Sequence, residues 1–268
     1  MRSVSPSSRS HRVRPADRDP GCGCTVPGAG RVAGGALVFA HGGAFCLGGL
    51  ETDHLRCHLY AQRASSVVVS VDYALAPENP YPAGLDDMSA VVQWVSDNAD
   101  ELNVDRRLIC IGGESAGGCL AAAVALRCRD IASVVLVGQL LLFPVTDHRL
   151  RTASMDEGAD MPAWNAVQSR TMWAHYLRGL GGPISGDASP AMAIDLTGLP
   201  RALVVTAEVD PLQDEGLEYG QRLCAAGVST DIHSYAGTFH VFDMASPGTA
   251  VAQRALREQT DFLNGVFA

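Results

Sequence analysis

Residues 113–117 read Gly-Glu-Ser-Ala-Gly, a pattern that surrounds one serine with small neighbours. An apolar run at 108–111 precedes the pattern, and a run of small residues typical of a helix follows at 116–127. A sharp turn between a strand and a helix would push the Ser115 side chain out of the sheet, with strained backbone angles. A serine hydroxyl is a weak nucleophile near neutral pH, so Ser115 needs a base and an acid beside it. A glycine-rich turn with an incidental serine would show the same five residues.

Two residues further along the chain could complete a catalytic set. Asp210 follows an apolar run at 202–206, and His240 follows another at 230–235. Because the carboxyl ends of parallel strands meet at one edge of a sheet, we expect both side chains beside Ser115. The order serine, acid, histidine is typical of a turn of this kind. Taken singly, Asp210 could be a helix cap and His240 an ordinary loop histidine, but their joint placement favours a triad.

Other acids compete with Asp210 for the same role. Glu208 lies in the same loop, whereas Asp214 and Glu215 lie on the helix that is predicted to follow. We favour Asp210 because it precedes Pro211 and stands off that helix.

An early apolar run ends on two adjacent glycines, Gly42 and Gly43, where a turn alone would need one. Attack on a carbonyl group creates an oxyanion, which backbone N–H groups can stabilise. We expect donors from Gly43, Ala44 and Ala116, with Gly42 shaping the turn. These four residues are therefore the predicted oxyanion hole.

Short apolar runs alternate with helical patterns from Ala36 onward. The predicted strands are 36–40, 67–71, 108–111, 134–143, 202–206 and 230–235. The predicted helices are 83–95, 116–127, 212–225 and 249–263. This alternation predicts an α/β fold, with a mostly parallel central sheet and helices on both faces.

Residues 145–198 interrupt the alternation and are too long for a plain connection. We interpret them as a partly helical cap insertion over the edge of the sheet. Trp164 and Trp173 could line an acyl pocket, or they could form a small core of the insertion itself. Residues 1–31 are rich in Arg, Ser, Pro and Gly, which predicts a flexible N-terminal segment and leaves 32–268 as the catalytic domain.

The composition excludes several classes of function. A net charge of −9 argues against nucleic acid or an anionic membrane as the main partner. The 20 basic residues are all arginines, so lysine chemistry is excluded. The 8 cysteines show no disulfide framework, and no secretory or membrane-spanning run is present, which predicts a cytoplasmic protein. The Cys22-Gly23-Cys24 pair and the His54 and His58 pair are weak metal candidates, and we predict neither a metal nor a cofactor.

As a set, these motifs resemble those of the bacterial hormone-sensitive-lipase family of α/β-hydrolase esterases. Residues 41–45 (HGGAF) resemble the HGGGF signature of that family, and residues 112–118 (GGESAGG) resemble its GDSAGG turn. Residues 72–82 (DYALAPENPYP) are similar to DYRLAPEHPFP, and residues 210–216 (DPLQDEG) to DPLRDEG. Residues 239–242 (FHVF) resemble the histidine loop.

The resemblance extends from about residue 32 to the C-terminus and implies the α/β-hydrolase fold. It also implies Ser115 as nucleophile, Asp210 as acid and His240 as base, with short- to medium-chain acyl esters as substrates. The sequence thus predicts a serine carboxylesterase that acts on a small-molecule ester through an acyl-enzyme. An amidase or deacetylase, or a weakly catalytic ligand-binding protein on the same scaffold, is the alternative. The sequence leaves a homo-oligomer open.

Several motif positions depart from the family pattern, among them Ala74 in place of an arginine and Asn79 in place of a histidine. Ala44 replaces a third glycine, so it keeps an N–H donor but lacks the freedom of glycine at positive φ. Glu114 replaces an aspartate, and we expect its additional methylene to strain the turn. The family has a longer N-terminal segment that contributes to its lid, so the resemblance implies a reduced cap here.

Overall fold

The computed structural model describes residues 10–13, 21–25 and 34–268. The strands within these residues are Ser10–Val13 (β1), Gly21–Thr25 (β2), Ala36–Ala40 (β3), Val67–Asp72 (β4), Ile109–Glu114 (β5), Leu136–Leu142 (β6), Arg201–Val209 (β7) and Thr230–Phe239 (β8). They form one sheet in the order β1-β2-β4-β3-β5-β6-β7-β8. The strands from β4 to β8 in this order run parallel, whereas β2 pairs antiparallel with both β1 and β4. The parallel strands therefore end at one common edge.

Helices cover both faces of this sheet. They are His54–Arg63 (α1), Ala83–Asp97 (α2), Ala99–Leu102 (α3), Ala116–Ile131 (α4), Ala153–Glu157 (α5), Ala166–Tyr176 (α6), Gln213–Ala225 (α7), Phe242–Ala245 (α8) and Ala250–Val266 (α9). Successive strand residues point to opposite faces. Val38 accordingly packs in a core with α2, α4 and α7, whereas Leu37 and Phe39 pack in a second core with α1 and α9. The predicted α/β class is confirmed.

Helix α4, which follows Ser115, is buried almost from end to end. It packs against β5 and β6 and against the neighbouring helix α2, which also contacts the sheet. Ala121, Ala122 and Ala123 are fully buried there, and such small side chains allow close packing. This close packing fixes the axis of the helix that begins immediately after the serine.

Several element boundaries differ from the predicted ones. β5 continues through Gly112 and Gly113 to Glu114, and β8 continues to Phe239, beyond the apolar runs that predicted them. These extensions depend on backbone pairing with β6 and β7, which hydrophobicity does not reveal. As a result, both strands reach the site that their apolar residues only approach.

The predicted flexible segment, residues 1–31, falls mostly outside the described residues. Where the segment is described, it forms β1 and β2, so the sheet extends beyond the predicted domain boundary. β2 has the sequence Gly-Cys-Gly-Cys-Thr, in which no apolar alternation indicates a strand. Its place in the sheet comes from backbone pairing with β4.

The segment 145–198 connects β6 to β7 and contains α5 and α6. Met155, Met172 and Trp173 are buried in the same core as α2 and α4. The segment therefore has no separate small core, which was one of the two interpretations of its aromatic residues. Trp164 is only partly buried and lies nearer the strand edge that carries Ser115.

Among the described helices, none combines the length and the apolar character needed to cross a membrane.

Candidate active site

Ser115 lies at the junction of β5 and α4, with φ 55° and ψ −114°. A left-handed conformation of this kind is strained for a residue with a side chain. The glycines on either side leave no room for a substituent: a β-carbon at Gly113 would lie 2.1 Å from the carbonyl oxygen of Gly117, and one at Gly117 would lie 2.1 Å from that of Ala40. The small residues of the motif are thus required by the tightness of the turn that presents Ser115.

His240 follows β8 and meets Ser115 across the strand edge. Its Nε2 atom lies 3.1 Å from Ser115 Oγ, and its Nδ1 atom lies 2.6 Å from Asp210 Oδ2. When Nδ1–H donates to Asp210, Nε2 can accept the serine proton. The side chains of Ser115, His240 and Asp210 are all buried, so little water competes for these two contacts.

Asp210 follows β7 and has two roles. One carboxylate oxygen accepts from His240, and the other accepts the N–H of Leu212 at 3.0 Å, just before α7 begins. The N-cap residue of α7 is Leu212, which has no side-chain cap, so the helix-cap interpretation of Asp210 is wrong. The bond from the Leu212 N–H instead closes a turn ahead of the helix and fixes the direction of the Asp210 carboxylate.

The three acids that compete with Asp210 accept hydrogen bonds from backbone N–H groups instead of contacting His240. Glu208 accepts the N–H of Gly237 at 2.6 Å, and Asp214 accepts the N–H of Ser154 at 2.8 Å. Glu215 accepts the N–H of Thr146 at 2.6 Å. Of these acids, the structure places only Asp210 in hydrogen-bond contact with His240.

Two opposing effects act on the imidazole of His240. Burial disfavours the charged ring, but the Asp210 carboxylate favours it through charge and a hydrogen bond, and Glu114 and Asp243 favour it through charge. The carboxylates prevail, and the pKa of His240 is raised above its ordinary value of 6.5. The site thus stabilises the imidazolium that forms when the histidine takes a proton.

The loop after β3 has an unusual backbone. Gly43 has φ 120°, and Ala44 has φ 56°. Ala44 therefore adopts the positive φ that was predicted to be difficult for it. In the part of the chain that the structure describes, the N–H groups of Gly43, Ala44 and Ala116 have no hydrogen-bond acceptor, whereas the N–H of Gly42 donates to Asp53 at 3.2 Å. Three N–H donors are therefore available to an oxyanion, whereas the N–H of Gly42 holds the loop to Asp53.

His41 supports this loop. The sequence places His41 in the HGGAF motif, but it did not predict a supporting role for the side chain. Its ring is buried and stacks on Tyr73 at 4.3 Å between centroids. Its Nδ1 atom lies 2.6 Å from the carbonyl oxygen of Gly42, and the Tyr73 hydroxyl donates to the carbonyl oxygen of His41 at 3.0 Å. Burial lowers the pKa of His41, so its ring is neutral. The ring stabilises the loop by packing and does not serve as a second base.

Aromatic side chains border the imidazole. The ring of Phe143 lies 5.7 Å from that of His240, and the ring of Trp164 lies 6.2 Å from it. Trp164 belongs to the segment 145–198, so this segment reaches the candidate site. Of the two predicted pocket tryptophans, only Trp164 borders His240; Trp173 packs against Phe45 in the core.

Arg56 was not predicted to matter, yet it is fully buried beside the site. The guanidinium group contacts the carboxylates of Asp53, Glu114 and Asp243. The spacing of Asp53 and Arg56, three residues apart at the start of α1, was the available signal, but three-residue pairs are frequent on exposed helices. The longer side chain of Glu114 reaches Arg56.

Among the described side chains, no group of three His, Cys, Asp or Glu residues is placed to hold a metal ion. His54 and His58 lie on α1. The side chains of the Cys22-Gly23-Cys24 candidate are outside the described residues.

Comparison with known proteins places this arrangement in a family. A family profile described as alpha/beta hydrolase fold matches residues 37–244. The carboxylesterase NlhH of Mycobacterium tuberculosis is 40% identical in an alignment of 232 residues that covers 82% of this chain and 72% of that protein. An arylesterase of Saccharolobus solfataricus is 36% identical in an alignment of 227 residues that covers 82% of this chain and 72% of that protein.

Solved structures agree with these sequence relationships. The esterase LipW from Mycobacterium marinum superimposes with a TM-score of 0.90 at 39% identity, covering 97% of this chain and 82% of that one. A bacterial heroin esterase superimposes with a TM-score of 0.91 at 35% identity, covering 98% of this chain and 84% of that one. The chain belongs to the hormone-sensitive-lipase-like family of carboxylic ester hydrolases with the α/β-hydrolase fold.

Proposed function

We propose that this protein is a serine carboxylesterase that hydrolyses short- to medium-chain acyl esters through a Ser115-His240-Asp210 triad and an acyl-enzyme. The observation that carries the proposal is the unbroken contact from Ser115 Oγ to His240 Nε2, at 3.1 Å, and from His240 Nδ1 to Asp210, at 2.6 Å. This chain of contacts ends on a strained residue whose hydroxyl is the nucleophile.

In the first half of the reaction, Ser115 Oγ attacks the ester carbonyl carbon while His240 Nε2 takes the serine proton. Asp210 holds the ring in the required tautomer and stabilises its positive charge. The carbonyl oxygen becomes an oxyanion, which the N–H groups of Gly43, Ala44 and Ala116 stabilise. His240 then gives its proton to the alcohol oxygen, the carbon–oxygen bond breaks, and the acyl group stays on Ser115.

In the second half, water takes the place of the alcohol. His240 removes a proton from the water as it attacks the acyl-enzyme, and the same N–H groups stabilise the second oxyanion. Collapse of this intermediate returns the proton to Ser115 Oγ and releases the carboxylic acid. No other reactant is required.

We infer that the segment 145–198 serves as a cap over the acyl site. Trp164, whose ring lies 6.2 Å from the ring of His240, brings apolar surface to the reacting atoms. Such a surface favours an apolar acyl chain over a charged group. A small ester with an uncharged acyl chain is therefore the proposed substrate class.

Labelling with a fluorophosphonate probe, followed by peptide mass spectrometry, tests the proposal. We expect the probe on Ser115 and turnover of p-nitrophenyl esters, with Ser115→Ala losing about 10³-fold or more in kcat. Ser89→Ala, which changes a serine on α2, is the matched control and should keep full activity. Label on another serine would overturn the assignment of the nucleophile. Tight ester binding without turnover by the wild-type protein would favour the ligand-binding alternative.

A further inference from the structure

The side chain of Arg56 on α1 is fully buried and faces three carboxylates. Its Nε atom lies 3.1 Å from Asp53 Oδ1, one terminal nitrogen lies 2.7 Å from Asp243 Oδ2, and the other contacts Glu114. We call these four residues the Arg56 cluster. Burial of an ion group is costly unless every charge has a partner, so the four side chains constrain one another closely.

Each carboxylate of the Arg56 cluster is tied to a different loop of the candidate active site. Asp53 accepts the N–H of Gly42, in the loop that carries the proposed oxyanion donors. Glu114 is the residue immediately before Ser115. Asp243 lies three residues after His240 and also accepts from Gln259 Nε2 at 3.0 Å. One guanidinium group therefore connects the three loops that must act together.

The far side of the Arg56 cluster is anchored to the protein core. Gln259, on α9, accepts a hydrogen bond from the Tyr60 hydroxyl at 2.7 Å, and Tyr60 lies one turn after Arg56 on α1. Gln259 and Tyr60 are both fully buried. Through the Arg56 cluster, the positions of α1 and α9 therefore restrict where the active-site loops lie.

We propose that Arg56 is a positioning residue, which sets the oxyanion loop, the nucleophile turn and the histidine loop in a common geometry. The proposal rests on the proposed esterase function. Arg56 acts through Asp53, Glu114 and Asp243 and does not touch the reacting atoms. The planar guanidinium can serve three carboxylates at fixed angles, whereas a lysine offers one compact charge and cannot reproduce this fork.

The Arg56 cluster also acts on the triad through charge. Three carboxylates face one guanidinium group, and burial, with the charges of Asp53 and Asp243, raises the pKa of Glu114 to about 7 although Arg56 and His240 oppose this. His240 in turn faces Asp210, Glu114 and Asp243, and each of these favours its protonated form. A change in the cluster should therefore alter the pH dependence of activity as well as its rate.

The first test is Arg56→Lys, which keeps the charge but not the fork. We expect kcat for a p-nitrophenyl ester to fall about 10²-fold while KM changes little, because a displacement of about 1 Å in a catalytic group has that effect. Arg127→Lys is the matched control, since Arg127 also pairs with two carboxylates, Asp86 and Asp187, but contacts none of the three loops that Arg56 connects. A folded Arg56→Lys variant with wild-type kcat would overturn the proposal.

The second test is Glu114→Gln, which decides the matter if Arg56→Lys does not fold. Glutamine can still accept from Arg56, but it cannot ionise, so it lacks the negative charge with which Glu114 faces His240 once Glu114 has lost its proton. We expect the acidic limb of the kcat/KM profile to move to lower pH, a readout that a purely structural role would leave in place. An unmoved limb would overturn the proposal. If the wild-type protein shows no turnover that depends on Ser115, the proposed function fails instead, and the two failures are distinguished by the fluorophosphonate labelling of Ser115.

Discussion

The carboxylate of Glu114 occupies the space that a side chain at Gly42 would need. A β-carbon at position 42 would lie 2.6 Å from Glu114 Oε1, which is closer than such atoms approach one another in folded proteins. Glu114 cannot simply rotate away, because it is buried and paired with Arg56. The oxyanion loop and the nucleophile turn are therefore in direct contact, and each restricts the sequence of the other.

We predict that Gly42→Ala lowers kcat for a p-nitrophenyl ester by roughly 10²-fold, because it displaces either Glu114 or the loop by a large part of an ångström. In the double variant Gly42→Ala/Glu114→Asp, the shorter acid restores room and part of the rate. Gly248→Ala is the control, since a β-carbon at Gly248 meets no atom within 4 Å. Strictly additive effects of the two substitutions in a double-mutant cycle would contradict this coupling.

Asp210→Asn should lower kcat by about 10⁴-fold, because an amide donor at this position favours the wrong tautomer of His240. Steady-state kinetics, with the thermal midpoint as a check on folding, measures the effect. Glu208→Gln and Asp214→Asn are the controls, since both acids bond to backbone N–H groups away from His240. If a control variant loses as much activity as Asp210→Asn, the assignment of Asp210 as the acid of the triad is contradicted.

We predict that adding a methyl group at Gly43 lowers kcat, whereas removing one at Ala44 leaves kcat nearly unchanged. A β-carbon at Gly43 would lie 2.1 Å from the carbonyl oxygen of Leu47, so Gly43→Ala displaces a proposed donor and should cost about 10²–10³ in kcat. Ala44→Gly keeps the N–H and suits the positive φ, so kcat should stay within a few-fold of the wild-type value. Equal losses in the two variants would exclude a specific role of the Gly43 N–H.

The positions of Ser115, Asp210 and His240 at one strand edge could be predicted from sequence. Each residue follows an apolar run, and the carboxyl ends of parallel strands necessarily meet, so order along the chain was sufficient. The triad geometry itself depends on two things that periodicity does not specify. One is the left-handed backbone at Ser115, and the other is the turn in which the Leu212 N–H donates to Asp210.

The Arg56 cluster could not be predicted in the same way. Its members, apart from Asp53, are separated from Arg56 by 58 residues or more along the chain, and no local pattern connects them. Strands β1 and β2 escaped prediction for a related reason, because backbone pairing at an antiparallel edge needs no apolar alternation in the strand concerned. Long-range ion pairs and backbone ladders are properties of the assembled fold.

The raised pKa of His240 predicts the pH dependence of the reaction. The base must be neutral to accept the serine proton, so kcat/KM should rise with pH and its acidic limb should inflect above 6.5, the ordinary value for histidine. Removal of the Asp210 charge and hydrogen bond in Asp210→Asn should move the residual activity's limb to lower pH. A pH profile of kcat/KM for a substrate with no ionisable group measures both values. An Asp210→Asn limb at higher pH than the wild-type limb would contradict the electrostatic assignment.

Glu215 provides the last prediction, which concerns stability. Its carboxyl group is fully enclosed and accepts the N–H groups of Thr146 and Asp147, at 2.6 and 3.2 Å, where the chain leaves β6. Burial raises the pKa of Glu215 to about 8, against the effect of these two hydrogen bonds. At neutral pH the folded protein therefore favours the protonated acid, whereas the unfolded chain ionises near the ordinary value of 4.5.

Because the folded-state pKa is the higher one, the stability that Glu215 contributes is fully present below pH 4.5 and declines as the pH rises towards 8. Glu215→Gln retains an oxygen that can accept from Thr146 and Asp147 but has no proton to lose. We expect the thermal midpoint of this variant, relative to wild type, to increase steadily between pH 5 and pH 8.5, as measured by differential scanning calorimetry at constant ionic strength. Glu218→Gln, which changes an exposed glutamate on the same helix α7, should show no such trend. A difference between Glu215→Gln and wild type that is independent of pH would mean that Glu215 is ionised in the folded protein, and that the two N–H donors outweigh its burial.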